Sequence, residues 1–207
     1  IQNAKNGSVS SDIHQALALG GITDGVTNLE MTAAYASIAN TGKYIRPVFY
    51  SQVIDSNGRV LLDNTTPTTH TVLKASTASL LTQGMTSVIT EGTGTSAKLD
   101  GKMPVSGKTG TTSSEYDLWF CGYTPYLTAS IWTGYDENVS LSGDQAYHER
   151  LWAKIMNQID SVKKYKAKSF KMSKDVKKYD ICSSSGKVAI KGVCPTSKSE
   201  YFAKGTQ

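Results

Sequence analysis

No stretch of this sequence approaches the ~20 consecutive apolar residues that a membrane-spanning helix needs, and the chain does not open on a signal-peptide pattern. Its three histidines, His14, His70 and His148, have no cysteine or carboxylate near them at metal-ligand spacing. The sequence therefore predicts no metal site, and we expect no cofactor. Because residue 1 is isoleucine and not methionine, we expect this chain to be one part of a longer protein.

Positive charge is in small excess and is unevenly placed. The net charge is +5, and eight of the sixteen residues from Lys163 to Lys178 are lysine. An excess confined to one late segment is not the pattern of a nucleic-acid-binding face, so we expect no nucleic-acid partner. We interpret the segment as a solvated linker, and contact with an anionic polymer or lipid stays open as the alternative.

Cysteine is scarce, with three residues in the chain. Cys121 lies in an apolar run, which is typical of a buried and unreactive thiol. Cys182 and Cys194 flank a loop rich in serine, glycine and lysine, and their spacing suits either a small disulfide or two free thiols. A disulfide would indicate a protein that works outside the cytoplasm.

Local signals predict an α+β fold. After a polar and irregular start over residues 1–12, Thr27 and Glu30 form a capping-box pattern that begins a helix reaching Asn40. Asn57-Gly58 between apolar runs predicts a hairpin, and the segment 74–90 predicts a second helix.

Three strands then follow one another with tight connections: the first around Lys108, the second over Leu118–Tyr123 and the third over Leu127–Tyr135. Such an order favours an antiparallel sheet. An amphipathic helix over Ala146–Ile159 is placed to cover that sheet. We therefore predict an antiparallel sheet flanked by helices over residues 1–160, followed by a lysine-rich segment and C-terminal extension over residues 161–207.

The first of these strands carries the chemistry that stands out. The run Met103–Thr112 reads M-P-V-S-G-K-T-G-T-T. Lys108 supplies one positive charge, and three threonines supply hydroxyl groups: Thr109, Thr111 and Thr112. Gly107 and Gly110 have no Cβ, so another backbone can approach closely. This combination suits a strand that binds an extended peptide and its terminal carboxylate by strand addition.

Gly107-Lys108-Thr109 also resembles the end of a phosphate-binding P-loop, but the rest of that motif is missing. A P-loop needs a glycine at position 102, where this chain has Lys102, and a helix directly after the threonine. Here another strand follows, so nucleotide binding is not favoured.

Several runs in a fixed order resemble the transpeptidase domain of class A penicillin-binding proteins. The resemblance covers residues 14–160 and is carried by these segments: Ala18-Leu19-Gly20-Gly21, Gly25-Val26-Thr27, Ala34-Tyr35-Ala36, Glu91-Gly92-Thr93-Gly94, Lys108-Thr109-Gly110-Thr111, Trp119-Phe120-Cys121-Gly122-Tyr123-Thr124-Pro125 and Trp132-Thr133-Gly134-Tyr135-Asp136. The tail from Cys182 to Phe202 resembles the C-terminal extension of Gram-positive members.

The resemblance implies a serine D-alanyl-D-alanine transpeptidase that cross-links peptidoglycan and is acylated by β-lactams. Lys108 and Thr111 would be catalytic, with the Thr111 amide as one oxyanion-hole donor, and Thr109 to Thr112 would bind substrate. Trp119 and Tyr123 are expected to support the strand. We interpret Asp117 and Glu115 as turn and surface residues.

The family's other two motifs are missing. No S-x-N occurs, and S-x-x-K occurs only in the lysine-rich tail, at Ser161–Lys164 and Ser184–Lys187, where we attribute it to chance. We therefore expect the nucleophile on an N-terminal segment of the same protein. The resemblance further implies a location on the outer face of the cytoplasmic membrane, with the anchor outside this chain. A non-catalytic module that binds or regulates at the cell wall through the same strand is the alternative.

Overall fold

The computed structural model describes residues 2–5, 8–23 and 25–206. Within those residues the α-helices are α1 (Asn28–Ala39), α2 (Ala75–Thr90) and α3 (Tyr147–Lys163). The strands are β1 (Gln2–Lys5), β2 (Ser8–Ser11), β3 (Lys43–Ile45), β4 (Gln52–Ile54), β5 (Val60–Asp63), β6 (Thr69–Thr71), β7 (Ser106–Thr111), β8 (Asp117–Tyr123), β9 (Thr128–Gly134), β10 (Val176–Cys182) and β11 (Ser197–Ala203).

Helix α1 begins at the predicted capping box. The Thr27 hydroxyl accepts a hydrogen bond from the Glu30 amide at 3.2 Å, and the Glu30 carboxylate accepts one from the Thr27 amide at 2.8 Å. These bonds satisfy two amides that a helix start would otherwise leave unpaired. The Thr27 amide and hydroxyl also lower the pKa of Glu30. The capping box thus fixes the start of the helix that lies beside the candidate site.

The central sheet has the order β7-β8-β9, and both pairs are antiparallel. In the register, Gly110 lies opposite Trp119, and Trp119 lies opposite Trp132. The predicted α+β fold, an antiparallel sheet flanked by helices, is confirmed.

One face of this sheet is covered by α2 and α3. Phe120 of β8 is fully buried there and meets Trp152 of α3 edge to face, with ring centroids 5.2 Å apart. The Trp152 indole N–H donates to the Ala129 carbonyl at 3.0 Å. Further apolar side chains complete this core: Ile89, Ala97, Val105 and Met156. The predicted role of the last helix as a cover for the sheet is confirmed.

Helix α1 lies on the opposite face. The Asn28 side-chain amide donates to the Ser130 carbonyl of β9 at 3.4 Å, and the Thr32 and Ser130 hydroxyls are hydrogen-bonded. Because side chains alternate along a strand, Ser130, Cys121 and Trp132 share this face.

Two predictions concern smaller hairpins. The Asn57-Gly58 hairpin is confirmed, since β4 pairs antiparallel with β5 and Gly58 has a φ of 82°. The expected irregular start is wrong, because β1 pairs with β2 from Gln2 opposite Ser11 to Lys5 opposite Ser8. Backbone pairing of this kind needs no apolar alternation, which is why the sequence pattern gave no sign of it.

The lysine-rich segment is solvated at its lysines, as interpreted, but its aromatic side chains pack on the domain, so it is not a free linker. Tyr165 stacks on Tyr126 with ring centroids 4.4 Å apart, and the Lys168 ammonium lies 3.7 Å from the centroid of the same Tyr126 ring. Phe170 packs edge-on against Tyr123. The aromatic rings between the lysines make these contacts while the charged groups stay in solvent. From Val176 onward the segment is strand β10, which pairs with β11.

Candidate active site

Strand β7 has one edge that no strand covers in the described part of the chain. The Thr112 amide donates to the Asp117 carbonyl at the β8 side, at 3.2 Å. Because hydrogen-bonding direction alternates along an antiparallel strand, the backbone groups of Thr109 and Thr111 point to the uncovered edge. An extended peptide can add to that edge through main-chain hydrogen bonds.

A cavity of about 630 Å³ lies beside β7, on the sheet face that α1 partly covers. All five residues from Lys108 to Thr112 line it, so the structure brings the predicted ligand-binding residues together. Lys108, Gly110 and Thr112 share this face with Trp119. The facing wall is largely apolar and comes from α1 and the segment before it: Leu19, Ile22, Val26, Met31 and Tyr35.

The Lys108 ammonium lies against its own strand. It donates to the Thr109 carbonyl at 2.9 Å and lies 3.4 Å from the Thr109 hydroxyl oxygen. The same hydroxyl is hydrogen-bonded to the Thr93 hydroxyl of the glycine-rich loop at 2.8 Å. A carboxylate that reaches this point would replace a neutral carbonyl as the acceptor of the lysine. This exchange is favoured because the carboxylate adds the attraction between opposite charges.

Two groups of the cavity, the half-buried Tyr35 and the buried Cys121, are neutral at physiological pH. Burial raises the pKa of Tyr35 to about 12 and the pKa of Cys121 to about 11. Among the described residues that line the cavity, the charged side chains are therefore Lys108 and Asp117. The cavity has a positive and a negative end.

Asp117 stabilises the connection between β7 and β8 through hydrogen bonds. One carboxylate oxygen accepts a hydrogen bond from the Trp132 indole N–H at 2.7 Å, and the other accepts from the Thr112 hydroxyl at 3.1 Å. The Asp117 amide in turn donates to the Thr112 hydroxyl at 2.9 Å. Sequence reasoning placed Asp117 in a turn and missed that its side chain lines the cavity. Trp132 is fifteen residues away, so no local pattern could show this pair.

Helix α2 fixes the start of β7 through buried hydroxyl groups. Ser106 is fully buried; its hydroxyl donates to the Thr82 carbonyl at 2.8 Å and is hydrogen-bonded to the Thr86 hydroxyl at 2.6 Å. The fully buried Tyr123 hydroxyl is bonded to the Thr82 hydroxyl at 2.8 Å. We call these four side chains the hydroxyl clamp. Sequence reasoning missed it, although threonines one helical turn apart on α2 were a signal.

The two residues expected to support the strand, Tyr123 and Trp119, lie in different surroundings from each other. Tyr123 lies in the hydroxyl clamp, away from the cavity, whereas Trp119 lines the cavity.

The remaining candidate residues lie in the C-terminal hairpin. Cys182 and Cys194 are free thiols, and a hydrogen bond from the Cys194 thiol lowers the pKa of Cys182 to about 7. Within the described residues, no group of three or more histidine, cysteine or acidic side chains is arranged to hold a metal ion.

Comparison with known families identifies the family of the chain. The family model described as "Penicillin binding protein transpeptidase domain" matches residues 1–159. The chain belongs to this family. A second model, "Penicillin-binding protein 1A, C-terminal domain", matches residues 172–207. The resemblance to the transpeptidase domain of class A penicillin-binding proteins is confirmed.

Curated penicillin-binding proteins are similar along the chain. Penicillin-binding protein 1A of Clostridium acetobutylicum is 40% identical over 141 residues, which are 68% of this chain and 17% of that protein. Penicillin-binding protein 2D of Bacillus subtilis is 35% identical over 223 aligned residues, which cover 100% of this chain and 30% of that protein. The chain thus spans less than a third of the length of these relatives.

Solved penicillin-binding proteins share the fold. Penicillin-binding protein 1A from Haemophilus influenzae matches 94% of this chain and 34% of its own, with a TM-score of 0.73 and 22% identity. PonA1 from Mycobacterium tuberculosis, solved in complex with penicillin V, matches 70% of this chain and 40% of its own, with a TM-score of 0.60 and 27% identity.

Proposed function

We propose that this chain forms one wall of a serine D-alanyl-D-alanine transpeptidase site that cross-links peptidoglycan and is acylated by β-lactams. The observation that carries the proposal is the uncovered edge of β7, whose outward backbone groups lie next to the Lys108 ammonium at the rim of a cavity. A stem peptide that adds to this edge would place its terminal carboxylate near Lys108.

Each residue of the strand has a distinct role in this proposal. Lys108 attracts the substrate carboxylate and influences proton transfer, and the Thr109 and Thr111 hydroxyls donate hydrogen bonds to that carboxylate. Gly110 has no Cβ and permits close approach of the peptide. Thr112 is the last residue of the strand that binds the peptide. The outward amide of Thr111 serves as an oxyanion-hole donor, a type of group worth about 3–4 kcal/mol of transition-state stabilisation.

The nucleophile would come from an N-terminal segment of the same protein that carries the S-x-x-K and S-x-N motifs. The apolar wall formed by Leu19, Ile22 and Val26 supports this, because such a surface is stabilised when another apolar segment packs on it. We propose that residues 1–160 complete the catalytic domain with that segment and that residues 161–207 form an extension. The site would work on the outer face of the cytoplasmic membrane, anchored by a segment outside this chain. Within the described residues, no helix is long and apolar enough to cross a membrane.

Covalent labelling by a fluorescent penicillin tests the proposal. The full-length gene product should be labelled, and this chain alone should not be. Lys108→Ala should slow labelling of the full-length protein by about 10- to 100-fold, since the lost charge-assisted hydrogen bond is worth about 1.5–3 kcal/mol. The exposed Lys102, just before the strand, provides the matched control, and Lys102→Ala should label at the wild-type rate.

Two results would contradict this reading. Labelling of the isolated chain would show that the nucleophile is in this sequence. A full-length protein that stays unlabelled would favour the alternative, a non-catalytic module that binds or regulates at the cell wall through the same strand.

A further inference from the structure

Thr93 lies on the glycine-rich loop between α2 and β7, and the proposed function leaves this residue unused. Its hydroxyl is hydrogen-bonded to the Thr109 hydroxyl at 2.8 Å. The Lys108 ammonium donates to the same Thr109 oxygen at 3.4 Å. Two segments of the chain therefore meet at the one hydroxyl group that the proposed function assigns to the substrate carboxylate.

The loop that carries Thr93 is packed closely against the end of α2. A Cβ at Gly92 would lie 2.8 Å from Cα of Val88, and a Cβ at Gly94 would lie 3.0 Å from Cδ1 of the buried Ile89. The Gly94 amide donates to the Val88 carbonyl at 3.0 Å. Because the loop fits against backbone on one side of Thr93 and against the core on the other, packing fixes the position of Thr93.

The direction of the hydrogen bonds at Thr109 follows from what each group can donate. An ammonium only donates, whereas a hydroxyl has one proton and two acceptor positions. A carboxylate only accepts, so Thr109 can bond to it only by donating its single proton. The two acceptor positions of Thr109 are then available to the Lys108 ammonium and the Thr93 hydroxyl. When a carboxylate is bound, Thr93 is thus the donor in its bond with Thr109.

This hydrogen bond adds little to the stability of the fold. Thr93 is exposed and Thr109 is half-buried, so water can bond to either hydroxyl when the other is absent. The effect of the bond is on direction. A donor held behind Thr109 leaves the Thr109 proton pointing toward the ligand, and hydrogen bonds in such a chain polarise one another.

We propose that Thr93 is a positioning residue for carboxylate recognition: its hydroxyl donates to the Thr109 hydroxyl and thereby directs the Thr109 proton to the substrate carboxylate. This inference rests on the proposed function and adds to it a residue from outside β7. Thr93 acts through Thr109 and not by contact with the reacting atoms.

The test compares two β-lactams that differ in one charge. The full-length protein is acylated by benzylpenicillin, which has a free carboxylate, or by the carboxamide of benzylpenicillin, each in competition with a fluorescent penicillin. The readout is the ratio of the two acylation rate constants, carboxylate over carboxamide, and the wild type should prefer the carboxylate. Thr93→Val keeps the shape of the side chain without its hydroxyl and should lower this ratio by about 3- to 10-fold, as expected for one hydrogen bond. Thr93→Ser keeps the hydroxyl and should stay near the wild-type ratio.

Two further variants separate positioning from a structural role. Thr95→Val alters an exposed threonine of the same loop and should keep the wild-type ratio. Thr109→Val should lower the ratio at least as far as Thr93→Val does. Adding Thr93→Val to Thr109→Val should lower the ratio no further, because residues that act as one unit are not additive.

Four outcomes would overturn the role of Thr93. The first two are a wild-type ratio near one and an unchanged ratio in Thr93→Val. The third is a fall of both rates at constant ratio, which would assign Thr93 a structural role only. The fourth is additivity of Thr93→Val and Thr109→Val, which would show that Thr93 acts independently of Thr109. In each of these cases the wild type is still acylated and the proposed function stands, whereas a wild-type protein that no penicillin acylates would contradict the proposed function itself.

Discussion

Glycine at two positions of the central sheet meets two different requirements. A Cβ at Gly122 would lie 2.6 Å from Cε1 of Phe120 and 3.0 Å from Cζ2 of Trp152, inside the core. A Cβ at Gly110 would lie 3.2 Å from Cβ of Trp119, on the cavity side. The first position needs glycine for packing in the core, whereas the second lies at the surface of the cavity.

Alanine substitutions separate these requirements. Gly122→Ala should lower the free energy of unfolding by about 1–3 kcal/mol, because aromatic rings must shift in a packed core. Gly110→Ala should change stability much less but slow penicillin labelling, since the added methyl group enters the cavity beside the proposed ligand edge. Urea unfolding and labelling rates of the full-length protein measure both effects. Equal loss of stability in the two variants would contradict the distinction.

His148 at the start of α3 is a buried titratable residue. It is 1% exposed, neither ring nitrogen has a well-aligned hydrogen-bond partner, and burial lowers its pKa. The nearby Trp119 backbone offsets only part of that shift. The adjacent Glu149 is also buried, and burial raises its pKa. The direction in which pH changes the stability follows from which state binds the proton more tightly. His148 binds it more tightly in the unfolded chain, and Glu149 binds it more tightly in the folded chain.

The free energy of unfolding should therefore fall as the pH drops through about 6.5, the ordinary pKa of histidine, because the unfolded chain takes up a proton there and folded His148 does not. His148→Phe should flatten this fall between pH 7 and pH 5.5. The exposed His70 is the control, and His70→Phe should keep the wild-type slope. Denaturant titrations at several pH values measure this slope of the free energy of unfolding against pH. An unchanged slope in His148→Phe would assign the pH dependence to other groups.

At the scale of elements, the hydroxyl clamp sets the position of β7 against α2. Ser106→Ala removes a buried hydroxyl that binds both the Thr82 carbonyl and the Thr86 hydroxyl. The loss of these two buried hydrogen bonds should lower the free energy of unfolding by about 1–3 kcal/mol and should slow penicillin labelling. The matched variant Ser140→Ala alters an exposed loop serine and should change neither. Normal labelling in Ser106→Ala would show that the clamp stabilises the sheet without positioning the ligand edge.

The elements that could be predicted from the sequence are those whose signals are local. The Thr27–Glu30 capping box and the Asn57-Gly58 turn each lie within four residues, and the alternating pattern of the three central strands is equally short-range. Features that depend on distant segments could not be predicted. Asp117 meets Trp132, and Ser106 meets Thr82, only because the sheet and α2 come together. The lysine-rich segment packs for the same reason, since its aromatic partners precede it by about 40 residues.

At the scale of the whole molecule, the segment that leads into the C-terminal hairpin is bonded to the turn after β8 and to α2. The Tyr126 hydroxyl donates to the Lys166 carbonyl at 2.8 Å, and the Ser173 amide donates to the Ser79 hydroxyl of α2 at 2.9 Å. These bonds hold the segment between α3 and β10 along the domain. The helix that positions β7 thus also contacts the chain leading into the extension.

The Cys182–Cys194 disulfide remains a prediction that this arrangement favours. The two thiols are hydrogen-bonded, and the lowered pKa of Cys182 means that a substantial fraction of this thiol is ionised near neutral pH. Under oxidised glutathione, non-reducing peptide mapping should show a cross-link between these two residues. Cys121 should stay free, because its pKa is raised to about 11. A cross-link that includes Cys121, or none at all, would contradict the pairing.

The uncovered edge of β7 has a further consequence for solubility. Unpaired strand edges invite two copies of a protein to join edge to edge and start aggregates, and a lysine on such an edge is a common protection. The Lys108 ammonium lies over the Thr109 carbonyl, one of the backbone groups that such a joint would use. The side chain proposed to recognise substrate therefore also shields the strand from self-association, so any variant that removes this charge exposes the fold to fibre-like assembly.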